Sequence, residues 1–202
     1  MKKNILWMLA AVLTCGLTVT VLSACSSDDD KTEAKTEVTM MYYVKVTDDV
    51  LKVADVEVNY VDQTGAKRKE VMTSAEWKKP IYTNSLPLTE GIWAKITPKA
   101  LIADGNYQLD VTTVAGYYAT LANGKTVGDG YGSDPEAVPT SAQTAADVAA
   151  WCTKSPTVAF TIGTEGNAKA TTVDFGGNNS VNIDYRFAQW LYQQLVNLFG
   201  ED

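Results

Sequence analysis

The stretch Met40–Val46, with the sequence MMYYVKV, is the clearest indicator of fold class in this chain. Tyr42, Val44 and Val46 recur at every second position along it. A period of two places these side chains on one face of a β-strand, and an apolar face of this kind is expected to pack on a core. The segment is therefore predicted to be a half-buried strand.

Further runs of alternating apolar residues follow along the chain, separated by short turn-forming segments. They cover residues 56–60, 67–72, 91–97, 107–114, 158–162, 173–175 and 181–185. The alternation changes phase at Ala54, which predicts a bulge or a break between elements. Turn residues at 62–65 and at 176–179 predict two hairpins, because Gly and Asn tolerate positive φ. Short strands with few helices between them favour an antiparallel β-sandwich.

Two helices are expected within this pattern. Thr144 followed by Asp147 resembles a capping box at the start of a short helix near 145–152, and Pro156 prevents its continuation. Near 186–199, one apolar stripe recurs at three- and four-residue spacing, which predicts an amphipathic helix that closes one side or end of the core. The stripe consists of Phe187, Trp190, Leu191, Leu195, Leu198 and Phe199. The predicted fold class is thus mainly β, an antiparallel β-sandwich-like domain with these two helices.

Composition excludes several classes of function. The chain has 202 residues, of which 46% are hydrophobic, enough for one core without disulfides or a structural metal. It has no His, so His-based triads and His-ligated zinc are excluded. The formal charge is −7, and the densest basic cluster is Lys67–Lys69, too small for a nucleic-acid footprint. We expect no catalytic constellation, no cofactor, no metal site and no nucleic-acid partner.

The N-terminus has the pattern of an export signal. Lys2 and Lys3 precede an uncharged apolar run from Ile5 to Val21, which is typical of a cleaved signal peptide. The run is also marginally long enough for an uncleaved membrane anchor. Leu22, Ser, Ala and Cys25 then form a lipobox, in which small residues precede a cysteine that accepts diacylglycerol. We therefore predict a signal peptide over 1–24 and lipidation of Cys25.

The cysteine count agrees with this interpretation. Cys15 lies inside the predicted signal and Cys25 would carry the lipid, so Cys152 is left as the single thiol of the folded part. An intramolecular disulfide is therefore not expected. Because no His is present to act as its base, Cys152 is predicted to be a buried thiol and not a nucleophile.

Residues 26–37 separate the lipid site from the first predicted strand. They contain five acids, two bases and no large apolar side chain, so they cannot build a core and are expected to form a solvated tether. Removing residues 1–24 takes away two lysines and no acid, which leaves 15 basic and 24 acidic residues and a charge of −9. The predicted organisation is a signal peptide (1–24), a lipidated acidic tether (25–37) and one β-rich domain (38–202).

Cys25 followed by Ser26, Ser27 and an acidic run over 28–30 resembles the surface-export signal of Bacteroidota lipoproteins. The resemblance covers residues 1 to about 31. It implies anchoring in the outer membrane through acyl chains on Cys25, with the folded domain displayed on the cell surface. Retention facing the periplasm is the alternative. The stretch 48–98 is also similar to small Bacteroidota lipoproteins with β-sandwich domains, a likeness that implies no particular activity.

Five aromatic residues that break the aliphatic pattern or lie near predicted loops are candidates for an exposed ligand-binding patch. They are Trp77, Trp93, Tyr117, Tyr118 and Tyr131. Flat rings can stack on sugars or anchor a protein partner at little entropic cost. A second candidate is the glycine-rich stretch 123–139, expected to be a surface loop, whose Asp129, Asp134 and Glu136 are possible ligands for Ca²⁺ or an acid–base pair.

Three hypotheses of function follow. The first is a lipid-anchored binding or adhesion module for a glycan or a protein, and not an enzyme. The second is a small carbohydrate-active enzyme that uses Asp or Glu. The third is a surface-fibre subunit that donates a strand to its neighbour. The helical pattern at 186–199 disfavours the third, because a donor strand should alternate with a period of two.

Overall fold

The computed structural model describes residues 35–133 and 137–176. Within them the chain forms strands and two short helices, numbered here in chain order. They are β1 (Glu37–Val46), α1 (Asp48–Val53), β2 (Ala54–Val61), β3 (Lys67–Val71), β4 (Glu76–Thr83), β5 (Leu88–Pro98), β6 (Gly105–Leu109), β7 (Val111–Thr120), β8 (Thr126–Ser133), β9 (Val138–Gln143), α2 (Ala145–Cys152), β10 (Thr157–Ile162) and β11 (Ala168–Ala170).

The strands form two larger sheets and one small one, with antiparallel pairing throughout the described pairs. The four-stranded sheet has the order β4-β1-β7-β8, and the five-stranded sheet has the order β11-β10-β5-β2-β3. Strands β6 and β9, which β7 and β8 separate in the chain, form a small two-stranded sheet. The predicted fold class, a mainly β, antiparallel sandwich-like domain, is confirmed.

The core lies between the two larger sheets, where the alternating residues of each strand meet. Tyr42 and Val44 of β1 are fully buried, as the period of two predicted. Val58 of β2, Ile92 of β5 and Phe160 of β10 are fully buried on the facing sheet. The side chains that point inward from both sheets therefore supply one continuous apolar core.

The phase change at Ala54 marks a break between elements, as expected. Helix α1 occupies residues 48–53 and carries the chain from β1 in one sheet to β2 in the other. The predicted strand at 107–114 is in fact two strands, β6 and β7, separated at Asp110. After Asp110 the chain passes from the two-stranded sheet to the four-stranded sheet, although the apolar alternation continues without a break.

Helix α2 begins as predicted. The Thr144 hydroxyl accepts a hydrogen bond from the Asp147 backbone N–H at 3.3 Å, and the Asp147 carboxylate accepts one from the Thr144 N–H at 2.9 Å. These reciprocal bonds form a capping box. Trp151 and Cys152 are buried on the inner side of the helix.

The glycine-rich stretch 123–139 is not the surface loop that was expected. Residues 126–133 form β8, an edge strand paired with β7, and Gly130 to Ser133 are buried. The glycines at 128, 130 and 132 face outward, and the inward positions include Asp129 and Ser133, so the sequence shows no clear apolar alternation. Tyr131 supplies the apolar residue that faces the core.

Residues 173–175 are not a strand either. Val173 and Phe175 pack across the outward face of the five-stranded sheet, against Gly91 and Trp93 of β5. The Lys67 ammonium group donates a hydrogen bond to the Asp174 carbonyl, which ties this crossing segment to β3. We call residues 171–176 the strap. The hairpin partner at 181–185 and the helix at 186–199 lie outside the described residues, as do the signal peptide, Cys25 and most of the tether.

The two ends of the sandwich differ. At the end where β1 begins, the turn between β7 and β8 lies close to the turn between β10 and β11, since the Tyr117 hydroxyl bonds to the Gly166 carbonyl at 2.7 Å. The opposite end carries both helices and the β6–β9 pair. The tether therefore joins the end that is made of hairpin turns.

Candidate functional site

Two of the predicted aromatic candidates face the core. Tyr117 is 3% exposed and Tyr131 is 5% exposed. The Tyr131 ring stacks on Phe160 with 4.6 Å between ring centroids, and the Tyr117 ring lies 5.8 Å from the same phenyl group. Rings in these positions pack the interior and offer no open face to a ligand.

Trp93 is also covered, although it points away from the core. Phe175 of the strap stacks on its indole with 6.4 Å between centroids, and Trp93 is 6% exposed. The Lys95 ammonium lies 5.7 Å from the same ring. The five aromatic candidates therefore do not form one exposed platform, and Trp77 and Tyr118 are the two that lie half-buried.

Trp77 belongs to a polar cluster at the open edge where β3 and β4 meet. Its indole N–H donates to Oε2 of Glu70 at 2.9 Å. The other oxygen of Glu70 accepts from the Tyr60 hydroxyl at 2.8 Å and from the Lys79 ammonium at 2.9 Å. Glu70 lies in the five-stranded sheet, whereas Trp77 and Lys79 lie in the four-stranded sheet. One carboxylate thus joins the edge strands of both sheets.

Hydrogen bonding fixes the charge state of this cluster. The bonds from Lys79 and then Trp77 lower the pKa of Glu70 to about 2, against a smaller opposing effect of burial. The bond to Glu70 raises the pKa of Lys79. The Lys79 ammonium also lies 5.6 Å from the Tyr60 ring, and the Tyr60 and Trp77 rings are 5.4 Å apart. The arrangement holds an ion pair and an indole in fixed positions, with both carboxylate oxygens of Glu70 engaged.

On the outward face of the four-stranded sheet, two tyrosines lie in one row of cross-strand neighbours. Tyr82 of β4 lies opposite Thr39, Thr39 lies opposite Tyr118 of β7, and Tyr118 lies opposite Gly128. We call this line of four residues the tyrosine row. Tyr82 is 57% exposed and Tyr118 is half-buried. Two interstrand spacings put the two tyrosine backbones about 10 Å apart.

The neighbouring rows make the same face smooth. Gly116 lies opposite both Met41 and Gly130, so two glycines adjoin in register beside the tyrosine row. Pro80 lies at the edge of the same line, opposite Met41. Gly116 and Gly130 are themselves buried, so the part of this face that a ligand can reach is the tyrosine row. Its rings would give a planar or extended ligand contact area at low entropic cost.

Glu90 is a fully buried carboxyl group between the two sheets. It accepts a hydrogen bond from the Tyr42 hydroxyl, and that hydroxyl accepts one from the Gly91 N–H at 3.2 Å. Desolvation raises the pKa of Glu90 to about 9, so the group is protonated at neutral pH. Because Glu90 is 0% exposed, it cannot reach a substrate in this conformation.

The acids of the glycine-rich stretch are only partly described. Asp129 accepts hydrogen bonds from the Gly130 N–H and the Tyr131 hydroxyl, both at 2.8 Å, so its two oxygens serve the strand itself. Asp134 and Glu136 lie outside the described residues. Within residues 35–133 and 137–176, no group of three or more Cys, Asp or Glu side chains is placed to hold a metal ion. Cys152 is buried as predicted, and burial raises its pKa to about 11.

A cleft of about 380 Å³ opens at the end of the sandwich where β1 begins. The turns at 121–125 and 164–165 and the side of Thr36 line it, and Lys125 and Glu165 contribute opposite charges. Thr36 is the last residue before Glu37 of β1, so the cleft lies directly beside the tether. A ligand in this cleft would have to share the space with the segment that leads towards Cys25.

Three of the residues that define these sites were not predicted from the sequence. Tyr82 lies in β4, a strand that Pro80 and two lysines make hard to recognise in the sequence. Glu70 and Glu90 are single acids in β-patterned segments, where nothing in the sequence distinguishes a buried or bridging acid from a solvated one. The sequence could have shown that Tyr117 faces inward and Tyr118 outward. Continuing the alternation of Leu109 and Val111 places Tyr117 on the same side as these two residues.

Within the described residues, no helix has both the length and the apolar character that crossing a bilayer requires. Comparison of the whole chain with protein-family models, curated proteins and solved structures gives no match.

Proposed function

We propose that this chain is a lipid-anchored cell-envelope protein, held in the outer membrane by acyl chains on Cys25. Its β-sandwich is a surface-displayed binding or adhesion module for a glycan or a protein ligand. The lipobox and the acidic tether support the anchoring. Acyl chains contribute about 0.8 kcal/mol per buried CH₂, which makes attachment by two or more chains stable without a membrane-spanning helix.

The tyrosine row is the observation that carries the binding role. It lies on a side face of the sandwich and offers Tyr82, more than half exposed, in register with Tyr118. The eleven residues from 26 to 36 would span about 36 Å when extended, so the tether can hold this face clear of the bilayer. Thr39 between the two rings supplies a hydroxyl for hydrogen bonding.

The alternative, a small carbohydrate-active enzyme, needs two carboxyl groups that reach one substrate. Among the described residues, the two glutamates with strongly shifted pKa values are Glu70 and Glu90. Glu90 is fully buried, and both oxygens of Glu70 accept bonds from neighbouring side chains. These contacts favour the binding module over the enzyme.

The anchoring is tested on the protein isolated from its native membrane. We expect mass spectrometry to find an acylated Cys25 at the N-terminus, with residues 1–24 absent. A bare Cys25 thiol or a retained leader would overturn the proposal. Protease treatment of intact cells should degrade the domain, and its full protection until the outer membrane is opened would place it facing the periplasm.

The binding role is tested with glycan and protein arrays probed by the full chain carrying Cys25→Ser, which cannot be acylated. For any ligand found, Tyr82→Ala and Tyr118→Ala should each weaken binding about fivefold, since stacking on one ring is worth on the order of 1 kcal/mol. Val71→Ala is the matched control, because Val71 is 63% exposed on β3. An equal loss in all three variants, or no ligand at all, would count against the module.

A further inference from the structure

The strap fills a groove on the outward face of the five-stranded sheet. Its residues alternate between half-buried positions at 171, 173 and 175 and exposed positions at 172, 174 and 176, and they belong to no strand. A Cβ at Gly91 would lie 3.0 Å from Cγ2 of Val173 and 3.3 Å from Cζ of Phe175. The strap therefore lies this close to the sheet because position 91 has no side chain, and Gly91 forms the floor of the groove.

Two polar groups beside this floor are buried without a partner. Trp93 and Thr157 are cross-strand neighbours on β5 and β10, one row from Gly91 on the same outward face. Trp93 is 6% exposed and Thr157 is 0% exposed. Neither the Trp93 indole N–H nor the Thr157 hydroxyl has a hydrogen-bond partner among the described residues. Burying an unpaired polar group is unfavourable, so an occupant that paired with these two groups would gain free energy that the apolar side chains of the strap do not supply.

Further polar groups lie on both sides of the floor. Asn59 is the neighbour of Trp93 on β2, and its amide donates to the Glu57 carbonyl at 3.3 Å. On the other side of the strap, the hydroxyl groups of Thr89 and Thr161 are 3.0 Å apart and reach solvent. An indole face beside hydroxyl and amide groups suits a sugar ring, because the ring stacks on the indole while its own hydroxyl groups form hydrogen bonds.

This face is basic although the chain carries a formal charge of −7. The lysines that its strands direct outward outnumber the acids, with Lys67, Lys69, Lys95 and Lys169 against Asp55 and Glu57. Glu57 is already paired with Lys69 at 3.4 Å. The strap places the acidic residue Asp174 on this face, where Lys67 donates a hydrogen bond to its carbonyl. A groove surrounded by ammonium groups favours an occupant with negative charge.

We propose that the groove under the strap is a binding site for an anionic glycan built of uronic acid units, and that the glycan displaces the strap when it binds. A sugar ring replaces Phe175 on the Trp93 indole, and its hydroxyl groups pair with the Trp93 N–H and the Thr157 hydroxyl. A glycan fits better than an acidic peptide, because the strap is itself a peptide and leaves both groups unpaired. The ligand class rests on the binding role proposed above, but the site lies on the opposite face of the sandwich from the tyrosine row.

The strap competes with the glycan, so the apparent affinity is reduced in proportion to the fraction of molecules whose strap is displaced. Phe175→Ala removes the competing ring and leaves the groove unchanged. It should strengthen binding about fivefold or more. Thr172→Ala is the matched control, because residue 172 is an exposed position of the same strap, and it should leave the affinity unchanged.

Thr157→Val tests the groove itself. Valine has nearly the same shape as threonine, and it removes a hydroxyl that has no partner in the closed structure, so the domain should remain folded and at least as stable. Binding should nevertheless weaken about fivefold, because one hydrogen bond to the glycan is lost. Unchanged affinity in Thr157→Val would overturn the proposed contact.

The experiment titrates oligogalacturonate, oligomannuronate and hyaluronan fragments into the full chain carrying Cys25→Ser, with calorimetry as the readout. Their methyl esters keep the sugar chain and lose the charge, and polyglutamate is the peptide probe. We expect one of the acidic glycans to bind, and its methyl ester to bind at least about fivefold more weakly. The inference is overturned if none binds even to Phe175→Ala, if the ester binds equally well, or if polyglutamate binds more tightly.

Tyr82→Ala separates this site from the tyrosine row. A glycan in the groove should be insensitive to Tyr82→Ala and sensitive to Thr157→Val. The reverse pattern would assign the glycan to the tyrosine row, which would support the proposed function and overturn the present inference. Bound glycan should also speed hydrogen exchange at the Thr171 N–H, which donates to the Ala159 carbonyl at 3.1 Å in the closed strap. Binding with unchanged exchange there would show that the strap is not displaced.

Discussion

The Tyr42 hydroxyl donates a hydrogen bond to Oε2 of Glu90 across the interior of the sandwich, joining the four-stranded sheet to the five-stranded sheet. Both side chains are 0% exposed. A buried carboxyl group that remained ionised would cost several kcal/mol, so this bond exists between neutral groups at neutral pH. The pair fixes how the two sheets face each other, and it makes stability depend on pH.

Glu90→Gln is expected to remove a pH dependence of stability. The pKa of Glu90 is about 9 in the folded state, against an ordinary value of 4.5. Between these values the folded chain keeps a proton that the unfolded chain loses. The free energy of unfolding should therefore fall as pH rises from 4.5 to 9, by at most about 1.4 kcal/mol per unit. Urea unfolding at pH 5, 7 and 9 measures the slope.

The Gln variant keeps the shape of the side chain and cannot ionise, so its stability should change much less over this range. The lowered pKa of Glu70 does not interfere, because that carboxylate contributes stability that is lost only as pH falls from 4.5 towards 2. If wild type and Glu90→Gln had the same slope between pH 5 and 9, Glu90 would not be a buried neutral acid.

Tyr42→Phe should destabilise the domain by about 1–3 kcal/mol, because it leaves Oε2 of Glu90 and the Gly91 N–H without a partner. Tyr82→Phe is the control, since Tyr82 is exposed and its hydroxyl faces water. Denaturant midpoints report both. A loss for Tyr42→Phe no larger than that of the control would show that the inter-sheet bond is not a determinant of stability.

Glu70→Ala should cost about 1–3 kcal/mol, since the Tyr60 hydroxyl, the Trp77 indole and the Lys79 ammonium all lose their acceptor. Glu70→Gln keeps an acceptor oxygen and loses the ion pair. It should cost less than about 1 kcal/mol, because the Glu70 and Lys79 side chains are 39% and 40% exposed and solvent screens their charges. Equal losses for the two variants would mean that charge, and not acceptor capacity, holds the edge strands together.

The sequence identifies those strands whose inward side chains are large and apolar. Tyr42 and Val44 reveal β1, and Val56 and Val58 reveal β2, because burial and the period of two coincide there. Strand β8 is concealed because two of its inward positions carry the polar residues Asp129 and Ser133, and because its outward positions carry glycines, which are typical of loops. Strand β4 is concealed because an edge strand tolerates Pro80 and lysines, which a central strand would not.

The candidate sites are harder to predict because they depend on pairs of strands that are distant in the sequence. Tyr82 and Tyr118 share a row only through the register of β4 and β7 with β1 between them. Glu90 is buried because its position on β5 faces the other sheet, where Tyr42 lies, and no local pattern near residue 90 encodes that contact. Local alternation predicts which face a side chain is on, whereas a site requires the order of the strands.

Thr144→Ala should lower the free energy of unfolding by about 1 kcal/mol. The Thr144 hydroxyl is the acceptor for the Asp147 N–H at the start of α2, and alanine leaves that group without its cap. Lys154→Ala, at an exposed position just beyond the same helix, is the control. Both are measured by urea unfolding. If the two variants were equally stable, the capping box would not stabilise the helix in the folded domain.

Gly166→Ala should be more damaging than Gly124→Ala, although both glycines lie in hairpin turns with φ of +75° and +78°. The left-handed backbone costs any alanine about 1–2 kcal/mol, so this term is shared. At Gly124 a new Cβ meets nothing within 4 Å. At Gly166 it would overlap Cγ2 of Val127, a β-branched side chain that cannot easily turn away.

The Gly166 turn also accepts the Tyr117 hydroxyl bond that links the two sheets at this end, so the overlap cannot be relieved by moving the turn without breaking that bond. We expect an additional loss of about 1–3 kcal/mol for Gly166→Ala over Gly124→Ala. Val127→Ala in the Gly166→Ala background should recover part of it by removing the obstructing methyl groups. Equal stability of the two alanine variants would show that the turns do not pack closely at this end of the sandwich.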